Sequence, residues 1–350
     1  MNDCKFFVKE GGILKNVAII IPYFGKLPSN LITFLYSCQH NKKIDWFIFT
    51  DQKLAVAQIP KNVHVIYKTF SSIKKKVEGV VGLKGLVLDA PYKLCDYRPA
   101  YGSIFQEYIS DYKYWGYSDM DVVYGNLWKY IEYGIKNGYD KIGHRGHLTL
   151  FKNNKRINER YKLPISNNGT WERLCYKVFR TSKACHFDED WGINLIYSQY
   201  GFSTYDNRNM VNEPFPENME LRSIDKNYYR LPQLYVYANG SCLFLYKEKG
   251  KICKEEFGYF HFQKRLFTKY LKKPCTRFYV DQSGYNKLKT FDNSSINLLL
   301  DKRPTFMERL KYMEYAYFHT NWFTDRKLFN SYLPVKHIYN RIFKEKNFFV

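Results

Sequence analysis

The run Asn16–Pro22 (NVAIIIP) constrains the fold of this chain more than any other stretch. Its unbroken apolar, largely β-branched core reads as a buried strand. Turn residues Tyr23–Ser29 follow, then a helix over Leu31–Gln39 that Ser29 or Asn30 can cap. The alternation continues. Ile44–Thr50 (IDWFIFT) is a second strand ending at Asp51, and Val63–Tyr67 is a third. Helices are expected over Phe70–Gly79, within Tyr92–Ser110 and over Leu127–Gly134, with further strands at Lys113–Tyr117 and Tyr139–Ile142. Strands alternating with helices predict an α/β fold: a Rossmann-like, mostly parallel sheet flanked by helices. Ligands of such sheets gather at the carboxyl ends of the strands, where Tyr23, Phe24, Asp51 and Asp119 fall.

Tyr114–Gly125 (YWGYSDMDVVYG) ends a strand in two carboxylates spaced i, i+2. Strand residues two apart share a face, so Asp119 and Asp121 can converge on one hard cation, Mg or Mn. A strand-end turn with two solvated aspartates would look the same. Gly258–Arg265 (GYFHFQKR) is a short aromatic strand carrying His261, with Lys264 and Arg265 just beyond. His261 could complete a metal site and the two cations could grip a diphosphate, or His261 is a core histidine.

Two further clusters carry charge. In Tyr92–Gly102 (YKLCDYRPAYG), Lys93 and Arg98 could contact phosphate and Asp96 could hold a base, a ribose or an arginine. The same residues also suit a capped helix start with solvated charges, with Pro99 in the first turn. In His186–Asn194 (HFDEDWGIN), Asp188, Glu189 and Asp190 stand beside an aromatic ring, where a raised pKa would suit a general base. An acidic helix start accounts for them equally. Glu213–Asp225 reads as a polar surface loop, and Asn239-Gly240 between two apolar runs is a type I′ hairpin signal.

The chain has 350 residues, 45% of them hydrophobic, and a formal charge of +22. That charge suits phosphate-rich partners, although its Lys, Asn, Ile, Tyr and Phe content also fits AT-rich codon usage. Eight cysteines are scattered with no CxxC pair, which argues against a zinc ribbon and for reduced thiols in the cytosol. No signal peptide and no apolar run of bilayer length is visible. Residues 265–350 mix basic and aromatic side chains, as in helices that meet an anionic membrane interface or that cap a core.

Taken in order, IIIPYFGKLP (Ile19–Pro28), FIFTD (Phe47–Asp51), PYKLCDYRPAYG (Pro91–Gly102), WGYSDMDVVYGNL (Trp115–Leu127), FDEDWG (Phe187–Gly192) and FHFQKR (Phe260–Arg265) resemble bacterial nucleotide-sugar glycosyltransferases of the GT-A fold. More narrowly they resemble a capsule and lipopolysaccharide glycosyltransferase-like group. The resemblance covers roughly residues 15–265. It implies that Pro22, Tyr23 and Asp51 line a uridine pocket and that Asp119 and Asp121 are the DxD metal site. It further implies that His261 is another ligand, that Lys264 and Arg265 lie near the diphosphate, and that Lys93 and Asp96 face the nucleotide-sugar. Asp188, Glu189 and Asp190 match the region of the base in inverting members, although FDEDWG departs from the WGxEDD order of some of them.

These readings give a catalytic domain over 1–268, with a nucleotide-sugar half to about 125 and an acceptor half from about 126, followed by a helical, basic extension over 269–350. The expected activity is transfer of a sugar from a UDP-sugar to a surface glycan or lipid-linked oligosaccharide, with Mn or Mg. The expected location is cytoplasmic, peripheral on the inner face of the membrane, with no nucleic acid partner. A nucleic-acid-binding protein and a metal-dependent hydrolase are the competing readings. The first lacks clustered lysines and the second lacks a recognisable metal motif.

Overall fold

The computed structural model describes residues 15–310 apart from 168, 216–219, 264, 266 and 308. In chain order the strands are β1 (Lys15–Pro22), β2 (Ile44–Thr50), β3 (Val63–Tyr67), β4 (Tyr112–Ser118), β5 (Val122–Tyr124), β6 (Lys141–Arg145), β7 (Leu148–Lys152), β8 (Ile165–Asn167) and β9 (Thr170–Glu172). There follow β10 (Thr204–Tyr205), β11 (Val211–Asn212), β12 (Gln233–Ala238), β13 (Ser241–Glu248), β14 (Lys251–Phe257), β15 (Tyr259–His261), β16 (Arg277–Asp281) and β17 (Gly284–Lys287).

The central sheet has seven strands in the order β10-β6-β7-β4-β1-β2-β3. Only β7 runs against the others. β1 is buried on both faces, as its unbroken apolar run requires. Val17, Ile19 and Ile21 pack with Phe34 and Leu35 of the helix Leu31–Gln39. Ala18 and Ile20 pack on the other face with Ile73 and Val77 of the helix Phe70–Val81. The chain steps outward from β1 to β3, then returns to the far side of β1 with β4. The order therefore reverses between β1 and β4, the switch point beside which doubly wound sheets bind ligands.

β5 leaves this sheet at once and pairs with β15, which also pairs with β11. The antiparallel sheet β14-β13-β12-β16-β17 covers the second half of the chain. Its β12–β13 turn is Asn239-Gly240, both at positive φ, as the sequence predicts. The expected boundary at residue 268 is not observed. Residues 277–287 form strands instead of helix and belong to the same sheet as β12. The compact unit runs to Leu300, closing with the helix Asn293–Asp301. Of the second unit, Asp301–Val350, only residues 301–307, 309 and 310 are described, so the rest of the expected basic extension lies outside the described residues.

The helix expected within Tyr92–Ser110 is a chain of short turns: Pro91–Lys93, Leu94–Tyr97, Arg98–Ala100, Tyr101–Ile104 and Gln106–Ile109. Pro99 accounts for the break at its centre, because it lacks the N–H that a continuous helix needs. Among the described residues the cysteines are free thiols, and no helix is long and apolar enough to cross a membrane.

Candidate functional site

β4 ends at Ser118, and backbone contacts carry the chain beyond it into a fixed turn. The Asp119 N–H donates to the carbonyl of His147 at 3.2 Å, next to the start of β7. The Asn30 side-chain amide donates to the carbonyl of Met120 at 2.7 Å. β5 then pairs with β15, setting Val122 opposite His261, and the Phe262 N–H donates to the Asp121 carbonyl at 3.0 Å. β11 lies parallel to β15 with Asn212 beside Phe260, so Glu213 emerges next to His261. A three-stranded sheet built from distant segments thus brings Asp119, Asp121, His261 and Glu213 together.

His261 Nε2 lies 3.4 Å from Asp121 Oδ1 and 3.8 Å from Asp119 Oδ2. The three side chains offer ligand atoms within 4.8 Å of one another. The ring is 4% exposed, whereas the Asp119 and Asp121 side chains are 30% and 42% exposed. The group therefore opens to solvent through its carboxylates and is closed behind by the ring. Asp121 Oδ1 and His261 Nε2 are buried, and each has no partner but the other. Buried polar atoms are seldom left so, and two oxygens and a nitrogen so arranged suit Mn or Mg. The residues present therefore fit a divalent cation.

Burial works against a charge on His261, but hydrogen bonds to Asp121 and Glu213 and the charges of Asp121 and Asp119 outweigh it and raise its pKa to about 10. Burial likewise opposes the Asp121 carboxylate, yet the His261 ring holds it below the usual aspartate range. Both shifts describe a site crowded with negative charge. Tyr23, just past β1, has its hydroxyl pKa raised by burial, then by Asp121 and Asp119. Asp51, just past β2, is exposed and accepts hydrogen bonds from the Gly25 N–H at 3.1 Å and Gln52 at 3.0 Å, which lower its pKa. With half-buried Pro22, these residues mark the same end of the sheet as Asp119.

Arg98 ties the carboxylate turn to the acidic loop. One nitrogen donates to Asp188 Oδ2 at 2.7 Å and to the Gly146 carbonyl at 2.8 Å, while the other bonds Asp119. Burial opposes its charge, but Asp119 and Asp188 keep it firmly protonated. Asp188 is buried, with its second oxygen unpartnered, and burial outweighs Arg98 to raise its pKa to about 6. The acidic helix start is not realised as a cap: no side chain caps the turn Asp190–Asn194, and Asp190 accepts only from the Asn194 side chain, at 3.1 Å. Glu189 is exposed and rests over Gly146, where a Cβ would lie 2.5 Å from its Oε1.

Lys93 and Asp96 do not face the site. Lys93 is buried, and its ammonium donates to Asp96 at 2.7 Å and to the carbonyls of Val178 and Lys183 at 2.9 and 2.6 Å. Asp96 is fully buried and also accepts from the N–H groups of Cys185 and Phe187. Their donors and acceptors are spent on holding the loop that precedes Asp188. Arg265 donates to the carbonyls of Phe215 and Glu220. Lys264 lies outside the described residues.

Two site residues escape sequence reasoning. Glu213, expected on a surface loop, is buried and accepts from His261 Nδ1 at 3.1 Å. His147, legible only as a strand start, lies against His261 with ring centres 4.0 Å apart and planes tilted by 32°. Burial, then the His261 charge, lowers its pKa. Arg98, expected as a phosphate contact, instead spends its terminal nitrogens on Asp119, Asp188 and the Gly146 carbonyl.

Residues 19–289 match the model of a family of unknown function, DUF6625, and the chain belongs to that family. The match spans every residue of the candidate site. No curated protein matches the chain.

Proposed function

We propose that this chain is a metal-dependent glycosyltransferase of the GT-A type that moves a sugar from a UDP-sugar to a surface glycan or lipid-linked acceptor. The observation that carries the reading is the convergence of Asp119, Asp121 and His261 just beyond β4, beside the switch point of a mostly parallel sheet. Asp119, Asp121 and His261 would hold Mn or Mg, whose charge would offset that building on the departing diphosphate. Tyr23, Pro22 and Asp51, at the neighbouring strand ends, would bind the nucleoside. Arg98, held between Asp119 and Asp188, fixes the distance between the carboxylate turn and the acidic loop. Glu189, the exposed acid of that loop without a hydrogen bond to a neighbouring side chain among the described residues, would take the proton of the acceptor hydroxyl in an inverting reaction. The basic and aromatic sequence beyond residue 270 supports contact with an anionic membrane bearing the acceptor.

Thermal unfolding with UDP, in Mn and in EDTA, tests the reading. UDP at a hundred times its Kd would stabilise the fold by about 2.7 kcal/mol. The expected result is stabilisation in Mn, little in EDTA, and loss of the Mn-dependent part in Asp119→Asn and Asp121→Asn. Equal stabilisation in both conditions, or none in either, would overturn it.

A further inference from the structure

We infer that Glu213 is the positioning residue of the metal site, fixing which nitrogen of His261 faces Asp119 and Asp121. The inference rests on the reading that those three residues hold a divalent cation. A carboxylate accepts and cannot donate. Glu213 Oε2 lies 3.1 Å from His261 Nδ1, so Nδ1 carries the hydrogen. The lone pair, once a cation takes the place of the other proton, is therefore on Nε2. That is the nitrogen 3.4 Å from Asp121 Oδ1, and both atoms are buried with no other partner.

The support continues behind Glu213. His147 Nε2 lies 3.5 Å from the same Oε2, and His147 Nδ1 lies 2.9 Å from the Tyr259 hydroxyl. Arg145 sits 3.8 Å from Oε1, and the Gln263 amide is 3.5 Å from Oε2. With Tyr259 donating to His147 and both imidazoles donating to Glu213, the hydrogens converge on Glu213 from two sides, which leaves Nε2 as the free face of His261. Carboxylate, imidazole and cation in line is the arrangement that orients histidine ligands and raises their basicity.

His147, Glu213 and His261 also lie close enough to hold a cation themselves. The positions argue otherwise. All three are buried, the Glu213 oxygen already accepts from His261, and the atoms with no other partner lie on the Asp121 side.

The test measures Mn binding alone, by calorimetry and by the electron paramagnetic resonance of free Mn, on folded Glu213→Ala, Glu213→Gln and Asp121→Asn proteins. Glu213→Ala should lower Mn affinity about 10–100-fold. Glu213→Gln, which keeps an accepting oxygen, should recover part of it. Unchanged Mn affinity in Glu213→Ala would overturn the assignment. So would loss of binding in Glu213→Ala with none in Asp121→Asn, which would put the cation in the buried group. A second readout needs no metal: the His261 Nδ1–H should give a downfield, slowly exchanging proton resonance in the metal-free protein, absent in Glu213→Ala. Wild-type protein that shows this resonance but binds no Mn would sink the metal reading and leave the hydrogen bond standing. A missing resonance in wild type would sink the role of Glu213.

Discussion

The side-chain amide of Asn30 holds the carbonyl of Met120 at 2.7 Å, across 90 residues of chain. Asn30 stands where a helix cap is expected, but its side chain makes no capping bond. It is spent on the carbonyl of Met120, the one residue that separates Asp119 from Asp121. The turn after β1 and the turn after β4 are thereby fastened to each other at the switch point of the sheet.

Asn30→Ala should therefore do two things. It removes the donor to a buried carbonyl, which costs about 1–3 kcal/mol, read as a lower midpoint in urea denaturation. It also frees the carboxylate turn, so Mn affinity should fall more than UDP affinity in EDTA. A stability loss with unchanged Mn affinity would mean that the bond serves the fold alone.

Lys93 is predicted to be structural. Removing one partner of a buried ion pair strands the other, at about 3–5 kcal/mol. Lys93→Met should show a loss of that size, because Asp96 would keep only backbone donors from Cys185 and Phe187. At temperatures where the variant is folded, UDP affinity should match wild type. A variant of normal stability whose UDP affinity falls tenfold would restore the phosphate-contact role.

Lys141 gives a pH-dependent stability. It is buried in β6, and burial, opposed by Asp206 and Asp190, lowers its pKa from 10.5 to about 8. A lowered folded-state pKa means a contribution that is present above the unfolded value and lost as pH falls through the folded one. Below pH 8 the folded protein carries a charge it would rather release, a cost of up to about 3.5 kcal/mol at about 1.4 kcal/mol per unit. Its ammonium bonds Asn194 and lies 5.3 Å from the Tyr197 ring centre. Lys141→Met should accordingly gain on wild type at pH 7, with the difference shrinking between pH 8 and 10.5. Paired urea denaturation at three pH values reads the difference, and a constant gap would show that the lysine is not strained.

The parts of this fold legible in sequence are those whose cause is local. The helix Leu31–Gln39 has the expected limits, β2 and β3 fall where the apolar runs do, and Asn239-Gly240 turns the β12–β13 hairpin. The pair Asp119 and Asp121 was visible because its period of two and its place after a strand are both local. What escaped depends on pairing between distant segments. Nothing in Pro214-Phe215-Pro216 announces that the preceding Glu213 is buried; only β11 beside β15 does that. The charges of Lys93 and Asp96 looked available because a sequence does not show three acceptors converging on one ammonium. The C-terminal strands β16 and β17 were masked by a basic, aromatic composition that suits a sheet edge as well as a helix.

The acidic loop carries the last prediction. Three acids were candidates for the base, and their surroundings now separate them. Asp188 is buried and bonded to Arg98 at 2.7 Å, so its loss should strand a buried guanidinium and lower stability. Asp190 accepts from Asn194 at 3.1 Å and should matter for the turn that begins there. Glu189 is exposed and lies against Gly146, with no hydrogen bond of that kind among the described residues. A base that meets the acceptor only in the transition state lowers turnover when removed and leaves nucleotide affinity intact. General-base catalysis contributes about 10²–10⁴-fold, so Glu189→Gln should lose activity on that scale with unaltered stability and unaltered UDP affinity. Gly146→Ala, which would press on Glu189 and Asp188, should lower transfer in the same direction. If Glu189→Gln transfers sugar at the wild-type rate in a protein whose Mn-dependent UDP binding is intact, the loop holds no base, and a retaining mechanism accounts better for the site.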